Sequence, residues 1–329
     1  MNVPAFHGNI SFNAHHSPMG AFFSFTCGNF GTRGGLAAQL GRPGSQDIYI
    51  GVKDGDRYSN NPLKCLPFYE GADKGAQVEV PDVAQQAAAS YLGEQDPDFA
   101  DPDADRKKPK VTAYGKAQIQ RYYGWGIDRW TTPDFGFEIC TPFGEIPDPA
   151  TASNAQMRRA LLPGVIAELR VDNTKGTQTK TGFFALGFHE AGVRILDEGV
   201  GADRAGFALR SHLGVIGRLF DTASNNYTQP AEKPFVFMRW SPNDGIAEKN
   251  NPVHLLGSCP GIGFEVPAGK CYSLVIAMGC YLGSDVTTRL EGKYLYTRYF
   301  SDLLDVLDET MTSGYELWKV AHQRDEELL

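Results

Sequence analysis

The stretch GVIAELRVDN, residues 164–173, establishes the fold class of this chain. Four apolar residues occupy alternate positions from 165 to 171, whereas Glu168, Arg170 and Asp172 fall on the opposite face. A period of two with opposed polarity predicts a half-buried β-strand.

The segments around this strand extend the β pattern. DNTKGTQTKTGFFALGF, residues 172–188, predicts a turn at residues 173–176 and a return strand that forms a hairpin with the first. KCYSLVIAMGCYLG, residues 270–283, is more continuously apolar, which predicts a central strand that follows a turn at residues 267–269. Short β-rich runs separated by evenly spread glycine and proline, 37 and 20 copies, are typical of an antiparallel β protein.

Two segments differ from this pattern. Residues 94–110, EQDPDFADPDADRKKPK, are acidic and proline-punctuated, which predicts a mobile surface loop. From residue 298 the apolar spacing changes to three and four, which predicts an amphipathic helix, or two helices broken near residues 313–314. Such a stripe must pack on something, so it either folds back on the sheets or its partner is absent. The stripe consists of Phe300, Leu303, Leu304, Leu307, Met311, Tyr315, Trp318 and His322.

Composition excludes several classes of function. The 39 acidic and 31 basic residues give a net charge of −8, which disfavours a nucleic-acid partner. No apolar run reaches the length of a membrane span, and the N-terminus lacks the pattern of a secretory signal, so we expect a cytoplasmic protein. Six cysteines without a C-x-x-C pair predict buried free thiols rather than disulfides or a metal site.

The stretch FNAHHSPMGAFFSF, residues 12–25, predicts a β-hairpin. Its Ser-Pro-Met-Gly segment matches a type I turn, with Ser17 at the first position and Gly20 at the fourth. Alternation on both strands divides the side chains between two faces. The core face would carry Ile10, Phe12, Ala14, Ala21, Phe23 and Phe25. The opposite face would carry Ser11, Asn13, His15, Phe22, Ser24 and Thr26.

The hairpin tip holds the candidate binding residues. His15 and His16 cannot easily share a metal ion, because neighbouring residues of an extended chain point to opposite faces. Ser17 lies in a turn rather than in a nucleophile elbow. An amide, an imidazole, hydroxyls and an exposed aromatic suit a sugar surface or a polar domain interface, with an ordinary solvated face as the alternative. The remaining histidines are isolated in the sequence: His7, His189, His212, His254 and His322.

Carboxylates were the remaining candidates for catalysis. Glycoside hydrolysis needs two carboxyl groups that flank the scissile bond. Each acidic candidate lies in a surface-like strand or turn, and no pair stands out. These candidates are Glu138, Glu145, Asp148, Glu168 and Glu265.

Four ordered blocks resemble glycoside hydrolase family 52, the β-xylosidases. They are FNAHHSPMGAFFSFTCG (12–28), RYYGWGIDRWTTPDFGFEICTPFGEIPDPATAS (121–153), LLPGVIAELRVDNTKGTQTKTGFFAL (161–186) and YLYTRYFSDLLDVL (294–307). The resemblance implies two modules, an N-terminal β-sandwich and an (α/α)6 barrel that follows a helical linker. The barrel would hold both catalytic residues and release xylose from xylo-oligosaccharides with retention, without a cofactor.

On this resemblance we expect a mainly β fold, a large two-sheet antiparallel β-sandwich over residues 1–297. Residues 298–329 would be a helical linker toward a catalytic barrel that this chain lacks. The barrel's NEGEY-type nucleophile motif is absent, so no position here is assigned a catalytic role. The expected partners are the barrel, in cis or in trans, and a xylo-oligosaccharide, and a homodimer is left open.

For contact with the sugar, the candidate residues are Asn13, His15, His16, Ser17 and Phe22. Two other interpretations stay open. A stand-alone carbohydrate-binding module would expose an aromatic platform such as Trp125 or Trp130. A structural interaction domain would expose the apolar stripe of the C-terminal helix.

Overall fold

The structure is a computed structural model. It describes residues 12–38, 44–59, 61–74, 78–79, 110–124, 126–141, 144–187, 192–196, 200–209, 212–222, 231–237, 239–241, 245–247, 259–286 and 291–328. The first ten strands there are β1 (Ala14–His16), β2 (Ser24–Cys27), β3 (Gly35–Ala37), β4 (Asp47–Asp54), β5 (Leu63–Cys65), β6 (Val78–Glu79), β7 (Lys110–Ala113), β8 (Gln120–Tyr123), β9 (Ile127–Thr131) and β10 (Phe135–Cys140). The next ten are β11 (Gly164–Asp172), β12 (Lys180–Gly187), β13 (Val193–Ile195), β14 (Arg204–Leu209), β15 (Leu213–Asp221), β16 (Phe235–Phe237), β17 (Arg239–Ser241), β18 (Gly245–Ala247), β19 (Gly261–Val266) and β20 (Cys271–Cys280). The helices within these described ranges are α1 (Asn154–Ala160) and α2 (Leu303–Leu328), with 3₁₀ turns at Ala72–Lys74, Lys116–Gln118 and Leu295–Arg298.

Two large sheets pack face to face, which confirms the mainly β fold. One sheet has the order β13-β14-β15-β20-β11-β10-β9-β8, and the other has the order β16-β19-β12-β4-β5-β7-β6. A three-stranded sheet, β1-β2-β3, contributes to the same apolar core, and β17 and β18 pair separately. The pairing departs from a purely antiparallel pattern at β5 and β7, which run parallel.

The strand predicted from residues 164–173 is confirmed as β11, and the strand predicted at residues 270–283 is confirmed as central, because β20 pairs with both β11 and β15. The prediction that β11 is half-buried is wrong. Val165 and its alternate neighbours face the core between the sheets, whereas Ile166 on the other face lies beneath α2. Glu168 is therefore buried as well.

The predicted hairpin around residues 173–176 is also wrong. The turn forms, with the Gly176 amide donating to the Asn173 carbonyl at 3.0 Å. The flanking strands, however, belong to different sheets, because β11 pairs with β20 and β12 pairs with β4. The Asn173 side chain donates to the carbonyls of Gln178 and Val266 at 2.9 Å each, so it fixes an arch between the two sheets.

The C-terminal helix α2 is continuous, which confirms the predicted amphipathic helix and excludes the alternative of two helices broken near Ser313 and Gly314. A Cβ added at Gly314 would lie 2.5 Å from Ile166 Cδ1, which shows that this glycine allows close approach to β11. The apolar stripe could pack on the chain's own sheets or on an absent partner, and in the structure it packs on the chain's own eight-stranded sheet. The helix residues that pack on the outer face of that sheet are Leu303, Leu307, Met311, Trp318 and Ala321.

The structure also bears on the predictions for the cysteines, the acidic stretch and membrane-spanning segments. All six cysteines are buried free thiols, as predicted. The acidic stretch 94–110 lies outside the described residues up to its last position, where Lys110 begins β7. None of the helices in the described ranges combines the length and the apolar character that crossing a bilayer requires.

Candidate functional site

The predicted N-terminal hairpin forms from β1 and β2, with His15 opposite Thr26. Burial alternates along β1: Ala14 and His16 are buried, and His15 is exposed. The predicted core residues Phe12, Ala14, Ala21, Phe23 and Phe25 are all buried, while Ile10 and Ser11 lie outside the described residues. The hairpin therefore presents one face of Asn13, His15, Ser17 and Phe22 to solvent.

The turn at the tip differs by one residue from the expected one. It lies at Met19 and Gly20, and Gly20 adopts a φ of 72°, which suits glycine. The Ser17 hydroxyl donates to the Phe23 carbonyl at 2.8 Å across the base of the turn. The Ser17 hydroxyl therefore stabilises the hairpin by linking its two strands.

His16 does not reach the exposed face, because it is only 3% exposed. Its Nε2 lies 2.8 Å from Asp128 Oδ2, and its Nδ1 lies 2.7 Å from Thr141 Oγ1. Arg121 pairs with the other oxygen of Asp128, and its guanidinium carbon lies 4.1 Å from the Trp130 ring centroid. This buried network ties the hairpin tip to β8, β9 and the segment after β10.

The network also favours the ionised form of Asp128. Burial acts to raise the pKa of this carboxyl, but the hydrogen bond with His16 and the positive charge of Arg121 outweigh it. The pKa of Asp128 is therefore lower than usual. Since an ionised carboxylate accepts, His16 Nε2–H donates to it, and Nδ1 of a neutral ring then accepts from Thr141.

Two variants separate the neighbouring histidines. His16→Ala leaves one oxygen of a half-buried carboxylate without its histidine partner, so we expect the free energy of unfolding to fall by about 2 kcal/mol in urea denaturation. His15→Ala removes an exposed ring whose Nδ1 lies 2.9 Å from Thr26 Oγ1, and we expect a change within about 0.5 kcal/mol. Equal effects of the two substitutions would contradict this assignment.

Phe22 is the unusual residue on the exposed face. Its φ is 49°, a left-handed conformation that bulky residues rarely adopt, and its side chain is 37% exposed. Its ring lies 5.1 Å from that of Tyr294, centroid to centroid. Tyr294 in turn stacks on the buried Tyr296 at 5.7 Å, with an interplanar angle of 9°.

The sequence did not identify Tyr294 as a site residue. Its block, YLYTRYF, was noted only for the resemblance, and the adjacent helix periodicity gives no indication of a hairpin about 270 residues earlier in the chain. Trp130 does not form the exposed platform that the carbohydrate-binding-module alternative would need, because its ring is fully buried in the core. Trp125 lies outside the described residues.

Among the acidic candidates, all of which lie in the described residues, we find no open catalytic pair. Glu138 and Glu168 are buried, so their expected surface-like setting is wrong. Glu138 Oε1 lies 2.8 Å from His322 Nε2, so His322, isolated in sequence, has a specific partner. Trp318 and Arg129 also bond to Glu138.

The other acidic candidates have structural partners or lie in an exposed loop. Glu265 pairs with Arg57 at 3.1 Å, and Asp148 Oδ1 accepts the amide of Ala150 at 2.9 Å. Glu145 is exposed on the loop before α1. Within the described ranges, no three His, Cys, Asp or Glu side chains group as metal ligands.

Comparison with known proteins gives a consistent result. The family model described as glycosyl hydrolase family 52 matches residues 25–329. One relative, a beta-xylosidase of Geobacillus stearothermophilus, is 31% identical over 91% of this chain and 38% of its own length. A second beta-xylosidase of the same organism is 29% identical over 96% of this chain and 48% of its own length. The chain thus spans less than half the length of either relative.

Proposed function

Because this chain belongs to glycosyl hydrolase family 52, we propose that it is the N-terminal β-sandwich module of a retaining β-xylosidase. The whole enzyme would release terminal xylose from xylo-oligosaccharides. This module would support an (α/α)6 catalytic barrel, in cis or in trans, and its hairpin tip would line one side of the sugar site. It would supply neither the nucleophile nor the general acid.

The observation that carries this proposal is the engagement of the acidic side chains. A retaining glycosidase needs two carboxyl groups about 5–5.5 Å apart and open to the sugar. Glu138 is buried beneath α2 among Trp318, His322 and Arg129, where no sugar could reach it. Both relatives are named beta-xylosidase and extend well beyond the matched part, which leaves room for catalytic residues elsewhere.

We expect the purified 329-residue chain to release no p-nitrophenol from p-nitrophenyl β-D-xyloside above the buffer rate. The reason is that, among the acidic candidates in the described residues, Glu138 and Glu168 are buried and Glu265 is paired with Arg57, so they do not offer the open pair that the reaction needs. A full-length beta-xylosidase of Geobacillus stearothermophilus serves as the positive control. Turnover by the chain that disappears in Glu145→Gln or Glu265→Gln would overturn the proposal.

One alternative loses its basis in the structure. A structural interaction domain was expected to expose the apolar stripe of the C-terminal helix, but that stripe is packed on the chain's own sheet. The alternative of a carbohydrate-binding module is still supported by one specific observation, the exposed Phe22 ring beside Tyr294.

A further inference from the structure

We propose that Phe22 and Tyr294 form a stacking platform for a pyranose ring of a xylo-oligosaccharide, with Tyr294 as its fixed floor. This inference rests on the proposed function, since it concerns the sugar that the module would help to hold. It assigns a binding role to Tyr294, a residue that none of the interpretations of the sequence named.

The first argument is the backbone strain at Phe22. A non-glycine residue at a φ of 49° is less stable than in the β region, and a large aromatic at such a position is uncommon. Burial of its ring does not fully account for the strain, because the side chain stays 37% exposed. The strained backbone holds this ring at the surface beside Tyr294.

The second argument is the rigid support behind the two rings. Tyr294 stacks on Tyr296, which is 1% exposed, and the Tyr296 hydroxyl accepts a hydrogen bond from the Leu282 amide at 2.9 Å. Tyr281 packs edge-on against Tyr296 with ring centroids 6.2 Å apart. A column of aromatic rings thus leads from the core to Phe22, so the platform is ordered before any ligand binds.

The third argument is the presence of polar side chains on the same face of the hairpin. His15, on the same face of the hairpin as Phe22, uses Nδ1 toward Thr26 Oγ1 at 2.9 Å, which orients the ring. Asn13 is exposed two residues before His15 on that face. Sugar-binding requires apolar surface for the ring face and hydrogen-bonding groups for the hydroxyls, the composition that ligand sites generally combine.

Phe22 and Tyr294 do not form a flat stack. Phe22 and Tyr294 are inclined at 53°, so they form an open angle and not a continuous plane. A pyranose ring packed on Tyr294 would meet the edge of Phe22 at its side.

The test is isothermal titration of the 329-residue chain with xylotriose, alongside three variants. We expect weak binding by the wild type, and a loss of affinity of about tenfold in Tyr294→Ala and Phe22→Gly. Tyr58→Ala is the matched control, because Tyr58 is also an exposed tyrosine, 60% accessible, in the turn that follows β4.

Phe22→Gly separates binding from folding. Glycine adopts a positive φ without strain, so this variant should melt at the same temperature as the wild type or higher while it loses affinity. A lower melting temperature with unchanged affinity would return Phe22 to a structural role. Absence of xylotriose binding by the wild type, or equal affinity in Tyr294→Ala, would overturn the platform, whereas the xyloside assay tests the proposed function separately.

Discussion

Replacing Gly164 with alanine is expected to lower the free energy of unfolding by about 3 kcal/mol, since it forces a methyl group into a packed helix–sheet contact. A Cβ at this position would lie 2.0 Å from Thr310 Oγ1 and 3.1 Å from Thr310 Cβ. Thr310 has no room to move, because it is fully buried and its hydroxyl donates to the Val306 carbonyl at 2.8 Å.

Gly164 is part of a row of glycines on adjacent strands, and α2 packs directly against this row. It lies opposite Gly279 in the neighbouring strand, and Gly279 lies opposite Gly214 in the next. Added Cβ atoms at Gly279 and Gly214 would lie 2.8 Å from side chains of the helix, Val306 and Leu307 respectively. Three adjacent strands thus omit side chains where the helix crosses them, and a methyl group there must displace the helix or the side chains that it packs on the sheet.

Urea denaturation of Gly164→Ala beside Gly136→Ala would measure this effect. Gly136 lies in β10 of the same sheet, and a Cβ there meets nothing within 4 Å, so we expect a change within about 0.5 kcal/mol. The double variant Gly164→Ala/Thr310→Ala should recover part of the loss, because it removes the nearest atom. Equal stability of the two single variants would mean that α2 does not pack closely against this row of glycines.

The sequence predicts local features of this fold well and long-range pairing poorly. The strand at residues 164–172 follows from alternation, but its covered outer face depends on a helix more than 130 residues later in the chain. The turn at residues 173–176 was predicted correctly, yet a turn does not specify whether the next strand pairs in the same sheet or crosses to the other. Here the nine-residue pairing with β20 occupies the edge that a hairpin would need.

The same limit applies to the candidate site. Alternation along the hairpin correctly placed His15 on the exposed face, but His16, which was grouped with it as a sugar contact, is buried. Alternation could not provide the partners of His16, because Asp128 and Thr141 lie more than 110 residues away. Glu138 was taken as a surface-facing residue for the same reason, since its partners Trp318 and His322 come from the far end of the chain.

Glu138→Gln is expected to lower the free energy of unfolding at pH 7 by about 3–4 kcal/mol. The glutamate is 5% exposed and joins Arg129 on β9 to Trp318 and His322 on α2. A neutral amide keeps the volume but leaves the guanidinium of Arg129 without its anionic partner. The amide NH₂ group also faces groups that donate, so at least one donor in this buried contact loses its acceptor.

The size of this loss should depend on pH in a defined direction. Burial acts to raise the pKa of Glu138, but the hydrogen bond with His322 and the charge of Arg129 outweigh it, so the native pKa is lower than usual. A carboxyl with a lowered native pKa stabilises the fold above its unfolded pKa, about 4.3, and this stabilisation is lost as the pH falls through the native pKa. The difference between wild type and variant should therefore be constant near neutral pH and shrink in acid.

Urea midpoints from pH 7 down to pH 3 would measure both effects, and Glu316→Gln provides the matched control. Glu316 lies on the solvent side of the same helix and pairs with Lys319 at 3.3 Å, so we expect a change within about 0.5 kcal/mol at any pH. Asp128 and Asp134 also have lowered pKa values, so both proteins lose stability in acid, and only their difference isolates Glu138. A difference that stays constant down to pH 3 would mean that the buried charge of Glu138 does not hold α2 to the sheet.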